Sequence, residues 1–195
     1  LRVLCMFFIV LGHAVVHGDV LQYTLTYSLD YFVINVLIAF LSVHVDCFVL
    51  ISGYFMCTKE FKLRKILTLW GKTLFWSALL YLVLCLNGFL TFSVQGILMA
   101  CFPFTQQRYW FATSYILMYL MIPTLNSAIR VLKRTQHANC ILIFFVVYIV
   151  FQNLFFWSRF TYTNEHDPLF FAFLYIVAAY LRKYPATHTR KEYIM

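Results

Sequence analysis

Arg2, His13 and Asp46 are the residues of this chain whose types and spacing point most directly to chemistry. Arg2 and His13 stand eleven positions apart in an apolar run. On a helix they fall within about 20° of one another and about 16 Å apart along the axis. With Arg2 at a membrane surface, His13 reaches the middle of a bilayer. Asp46 stands about as far from the end of the second apolar run, near Cys57. Two antiparallel helices are therefore expected to set the imidazole and the carboxylate face to face at one depth. A carboxylate orients a histidine and stabilises its imidazolium, and such a histidine can take the proton of an attacking hydroxyl. The same pair can instead serve to tie two helices together.

His44 is two residues from Asp46, hence about 200° round the helix, and is expected to face elsewhere in a structural role. His13 and His17 are four apart, a spacing that suits zinc, but no third ligand stands at a defined spacing and no metal site is expected. Arg2 alone also reads as a positive anchor at the cytoplasmic surface. Lys62, Arg64 and Lys65 form a basic cluster that suits the same topological task or an anionic ligand bearing phosphates.

The elements that must position these groups follow from composition. Of 195 residues, 63% are hydrophobic, 21% aromatic and 11% charged, with a mean hydropathy of +0.80. A soluble domain carries about a quarter charged residues. The chain reads as an all-α polytopic membrane protein with about six transmembrane helices, each needing about 20 apolar residues. Ionisable side chains at bilayer depth cost about 2.5 to 3.5 kcal/mol each, so His13, His44 and Asp46 are functional candidates by default. The six cysteines lack metal-ligand or redox-pair spacing and read as buried thiols.

In chain order the expected spans are residues 3–16, 31–57, 70–87, 109–128, 140–157 and 169–181, the last being short. Residues 94–102 are too few to cross and are expected to lie at the interface or re-enter. Pro123 lies near the end of the fourth span, where a kink is possible. The first run lacks a small-residue cleavage site and leads into further spans, so no cleavable signal peptide is expected.

Lysine and arginine set the orientation. Thirteen fall on one side, among them Arg2, the cluster after the second span, Arg130, Lys133, Arg134 and the tail after Leu181. Two, Arg108 and Arg159, fall on the other. The positive-inside rule then places both termini in the cytoplasm. The net charge of +8 is thereby spent on topology and lipid headgroups, which removes the case for nucleic acid. Trp70 at the inner boundary, with Trp110 and Trp157 at the outer one, fits an aromatic belt.

Several stretches together resemble acyltransferase family 3, the integral membrane O-acyltransferases of bacterial surface polysaccharides. Leu1-Arg2-Val3-Leu4 through Leu11-Gly12-His13-Ala14 is similar to the family's opening helix. Val45-Asp46-Cys47 through Ser52-Gly53-Tyr54 resembles its aspartate, apolar run and Ser-Gly. Arg108-Tyr109-Trp110-Phe111, leading to Pro123-Thr124-Leu125-Asn126, resembles its Trp-Phe helix with a downstream proline. The order and spacing of these stretches over residues 1–130 carry the resemblance.

The resemblance implies catalytic and donor roles for Arg2, His13 and Asp46. It also implies acyl transfer, with acetyl-CoA as co-substrate rather than bound cofactor, to a hydroxyl of a surface polysaccharide or lipid-linked glycan at a bacterial inner membrane. The family often carries two arginines three apart after the second span, whereas Lys62 with Lys65, or Lys65 with Thr68, stand here. Lys62, Arg64 and Lys65 are the expected donor-binding residues. The family fold has about ten spans, so residues 1–195 are expected to form one transmembrane domain cut short at both ends. A transporter or channel using His and Asp for protons or substrate is the alternative, and internal repeats, which would favour it, are not evident.

Overall fold

The computed structural model describes residues 1–102, 109–150 and 167–185. Arg108, Pro103, Trp157, Arg159, the end of the fifth expected span, most of the loop after it, and Arg190 and Lys191 lie outside the described residues. The described residues are helical with no strand: α1 (Arg2–His17), α2 (Leu29–Met56), α3 (Leu63–Leu86), α4 (Val94–Cys101), α5 (Trp110–Val131), α6 (Arg134–Phe145) and α7 (Pro168–Lys183). A 3-10 turn at Val20–Tyr23 follows α1, and α6 continues as a π-helical turn over Val146–Val150.

α2, α3 and α5 are long and apolar enough to cross a membrane. α1, α6 with its π turn, and α7 are shorter apolar helices. The all-α membrane class expected from composition is thus the class observed.

Two boundaries differ from the expected ones, for the same reason. α3 starts at Leu63 rather than near Trp70, because Leu63, Ile66 and Leu67 already carry the helical apolar spacing through the basic residues. α6 starts at Arg134 rather than Cys140, leaving a two-residue turn after α5 and burying His137, which the charge pattern had assigned to a loop.

The chain divides into two compact units, residues 1–58 with 174–195 and residues 59–173. In the first, α1 lies against α2 where Gly12 admits Leu41. A Cβ on Gly12 would stand 3.3 Å from that of Leu41. Above and below this point Cys5 and Leu41 are buried, and Phe8 packs on His44 with ring centroids 4.3 Å apart. α2 meets the later part of α7 at Gly53, whose added Cβ would lie 3.0 Å from Ala178 Cβ and 3.2 Å from Tyr175 Cα. Small residues at such contacts let helix backbones close in a lipid environment, where apolar side chains alone supply no net drive to associate. Val49, Ser52, Tyr175, Ala178 and Ala179 are buried around it. At the basic end of this unit Arg2 lies 5.7 Å over the ring of Phe55, and Arg182 lies 4.9 Å over the ring of Tyr54 and donates to its hydroxyl at 3.1 Å. The start of α1 and the ends of α2 and α7 therefore share one end, as the positive-inside rule requires.

In the second unit α5 buries a single stripe, Ser114, Met118, Ile122, Asn126 and Ile129, at the spacing of one helical face. The helix runs unbroken through Pro123. Trp110 and Phe111 set their rings 6.4 and 5.7 Å from that of Phe171, and Phe144 lies 6.1 Å from Phe173. The Trp-Phe pair thus anchors the early part of α7. From Phe171 to Ile176 six consecutive residues are buried.

α4, eight residues long, is held by a clasp. Tyr81 on α3 donates its hydroxyl to Ser93 O (3.2 Å) and accepts from Ser93 N (3.0 Å), while Ser93 Oγ caps the helix through Gly96 N. A Cβ at Gly96 would meet the end of the Tyr81 ring, which would have to shift to admit it.

Gly53 and Gly71 make opposite predictions. Gly53→Ala is expected to destabilise the protein by about 1 to 3 kcal/mol through overpacking. Nothing lies within 4 Å of a Cβ at Gly71, so Gly71→Ala is expected to gain up to about 1 kcal/mol from helix propensity. Thermal unfolding of the two variants in one detergent checks the pair, and equal shifts would contradict the packing at Gly53.

Candidate active-site face

The sixteen residues of α1 are helical without a break, so Arg2 and His13 share one side of it as their spacing predicts. Cys5, Phe8 and Gly12 form the stripe that meets α2, and His13 follows Gly12 by one residue, about 100° round. His13 therefore flanks the seam between the two helices. Its side chain is exposed, and its ring stacks on that of His17, one turn on, at 5.5 Å and 6°. Arg2 is also exposed at the head of the helix, laid over Phe55 in a cation–π contact.

Asp46 is placed differently from the expectation. Counting from the helix ends puts it level with His13. The antiparallel register is set instead by Gly12 meeting Leu41 and Phe8 meeting His44. In that register Asp46 is level with Met6, about 10 Å along the axis from His13. It also lies about 200° round α2 from His44, on the half-buried face that carries Val49 and Gly53 toward α7. No hydrogen bond joins His13 to Asp46 among the described residues, and the ring partner of His13 is His17.

His44 is the α2 residue that turns toward α1, sandwiched between Phe8 and Phe40 (5.0 Å) with Nδ1 3.3 Å from Leu41 O. Sequence spacing gave the angle between His44 and Asp46 correctly but assigned the neighbour to the wrong one. The signal that could have decided it is Gly12, the one glycine of α1, at which α2 can approach.

The basic cluster belongs to the second unit. Lys62 is the N-cap residue of α3, and Arg64 and Lys65 stand in its first turn, exposed, with no acidic residue among them. Cations at a helix N-terminus oppose the macrodipole, so helix stability does not explain them. Tyr119, which spacing did not single out, fixes this corner. It is buried in α5, accepts from Lys62 N at 3.4 Å and sets its ring 5.3 Å from that of Phe61. Backbone N–H groups and three cations thus converge at one exposed helix start, an arrangement that attracts anions.

All six cysteines are free thiols. At Cys57, just past α2, burial pushes the thiol above its ordinary range, against a smaller opposing effect of Arg182. It stays protonated at neutral pH and is a poor nucleophile. No group of three or more metal-ligating side chains occurs among the described residues. His13 thus stands exposed at the rim of the α1–α2 seam, stacked on His17.

No curated protein and no solved structure matches the chain. The family model of the acyltransferase domain matches residues 1–193, spanning Arg2 and His13 on α1, Asp46 on α2, the basic start of α3 and the Trp-Phe start of α5. The chain belongs to acyltransferase family 3, and it is an integral membrane protein of the acyltransferase kind.

Proposed function

We propose that this protein transfers an acetyl group from acetyl-CoA to a hydroxyl of a carbohydrate at the outer face of a bacterial inner membrane. The observation that carries the reading is the unbroken α1, which holds Arg2 at the basic end and His13 about 16 Å further along the axis, inside a chain that the acyltransferase family covers almost entirely. In the proposed reaction His13 takes the proton of the acceptor hydroxyl as its oxygen attacks the thioester carbonyl. The C–S bond then breaks, the acyl group stays on the acceptor oxygen, and the CoA thiolate receives the proton from the imidazolium. The ester and free CoA leave, and His13 is neutral again. His17, stacked on His13, restrains its ring.

The donor carries phosphates and is cytoplasmic, so its attraction falls to Arg2 and to Lys62, Arg64 and Lys65. The acceptor lies on the other side, which makes mid-depth the sensible place for the chemistry, since water is sparse there and a thioester is spared hydrolysis. Asp46 is assigned to the reaction through the resemblance of its surrounding stretch. Its distance from His13 means that it acts on the reaction without a hydrogen bond to that ring.

His13→Ala should lower transfer by at least about 100-fold, the scale of general-base catalysis. Its side chain is exposed, so stability should move by less than about 0.5 kcal/mol. Acetyl content of surface polysaccharide, read by mass spectrometry against protein level, checks both, and unchanged acetylation would overturn the assignment.

Asp46→Asn is expected to cost distinctly less than His13→Ala, since no bond to the base is lost. Steady-state kinetics on the two variants compare them directly, and equal losses would mean that the two side chains meet during turnover.

Replacing Lys62, Arg64 and Lys65 together by glutamine should raise KM for acetyl-CoA about five- to tenfold with kcat little changed. The difference should shrink as salt rises, because these charges are exposed. A salt-independent effect, or one on kcat alone, would remove the cluster from donor binding. Absence of acetyl-CoA binding together with pH-dependent flux in vesicles would replace the transferase reading with transport.

A further inference from the structure

Residues 73–102 carry no charged side chain, although they include the whole connection between α3 and α4. A connection surrounded by water is ordinarily polar. This one instead exposes Phe89, Phe92, Val94, Leu98 and Phe102. α4 itself has two sides. Gly96 turns toward Tyr81 of α3, and Ala100, one turn on, is buried. Val94, Leu98 and Phe102, at i, i+4 and i+8, follow one exposed edge, with Leu98 about 200° round from Gly96.

α3 fixes the depth at which this edge lies. The hydrocarbon of a bilayer is about 30 Å thick, and a helix rises about 1.5 Å per residue. Counted from Ile66, the first residue after the basic cluster, about twenty residues reach the far boundary at Leu86, where α3 ends. Counted from Lys72, the last charged residue of α3, the hydrocarbon extends beyond the helix end. Tyr81 therefore stands at least about 7 Å inside the far boundary. Its hydroxyl bonds to both backbone groups of Ser93, which brings the start of α4 to the same depth.

The backbone of the connection is suited to that depth. Hydrocarbon tolerates N–H and C=O groups outside helices only where protein or enclosed water meets them. Gly88, at φ 76°, turns the chain so that the N–H groups of Phe89 and Leu90 both reach Leu84 O, at 3.0 and 3.3 Å. The Tyr81 clasp serves Ser93, and Ser93 Oγ accepts from Gly96 N. On the side away from the apolar edge, Thr91 and Gln95 line a cleft of about 440 Å³ together with Ser77 of α3. A polar cleft of that size holds water, which meets the polar groups turned toward it.

We propose that residues 87–102 re-enter the bilayer from the end of α3 remote from the basic cluster. The Val94–Leu98–Phe102 edge lies against lipid acyl chains, and Gln95 faces a water-filled cleft. Length alone leaves interfacial and re-entrant placements open for this segment, and the clasp at Tyr81 selects the second. The proposal rests on the membrane class of the chain and is independent of acyl transfer.

The test uses the full chain in nanodiscs of phosphatidylcholine and phosphatidylglycerol, with a benzophenone side chain introduced at Leu98, Phe102 or Gln95. All three positions are exposed, so folding does not depend on them. Light should join the first two to lipid, with mass spectrometry placing the new bond on an acyl chain, and the Gln95 position should give little lipid adduct. Attachment to headgroups alone, a cross-link to another polypeptide, or no adduct at Leu98 and Phe102 would overturn the proposal. Leu98→Lys should lower the unfolding temperature in the nanodisc by at least about 4 °C, because a cation among acyl chains is costly. Gln95→Lys, turned toward water, should leave it within about 1 °C. Equal shifts would put both sides of α4 in one medium and overturn re-entry.

Discussion

Close approach of backbones at small residues is the constraint on which the first unit depends. Lipid offers apolar helices no reason to leave it, so α1, α2 and α7 associate where side chains are smallest and backbone contact is greatest. Gly12 brings Leu41 against α1, and Gly53 brings Tyr175 and Ala178 against α2. These two contacts fall on different faces of α2. One sets the register that decides which residues share a level with His13, and the other sets the face on which Asp46 lies. A single helix therefore separates the two polar groups that its sequence appears to offer as a pair.

The charges obey a different logic from the packing. Arg2 and Arg182 come from opposite ends of the unit's sequence, yet both lie over aromatic rings at the end of α2. Such contacts hold a guanidinium near a membrane surface at little desolvation cost. At the start of α3 the three cations stand where the helix dipole opposes them. Nothing in the local backbone rewards that placement, which leaves membrane orientation and anion attraction as its physical reasons. The two are compatible, because in the proposed reaction a donor with phosphates approaches from the same side as anionic headgroups.

Polar groups on α3 and α4 complete the contrast. In α3, Thr68 and Thr73 satisfy their hydroxyls on their own helix, as an apolar surrounding demands. Tyr81 spends its own on the backbone of Ser93 and thereby fixes a helix too short to be stable alone.

Much was legible in the amino-acid sequence alone. Hydropathy required an all-helical membrane protein because lipid offers backbone groups no other partner. The eleven-residue spacing put Arg2 and His13 on one side of α1 because helical geometry is local. The motif order placed the chain in its family. Helix starts at Leu63 and Arg134 were misjudged because basic residues were read as loop, although apolar spacing ran through them. The pairing of His44 rather than Asp46 with α1 and the burial of six consecutive residues in the short α7 were decided only by tertiary structure. Each depends on which faces of two helices meet and in what register. That register is set by the few positions where a missing or small side chain lets backbones close, a property of pairs of segments far apart in the chain.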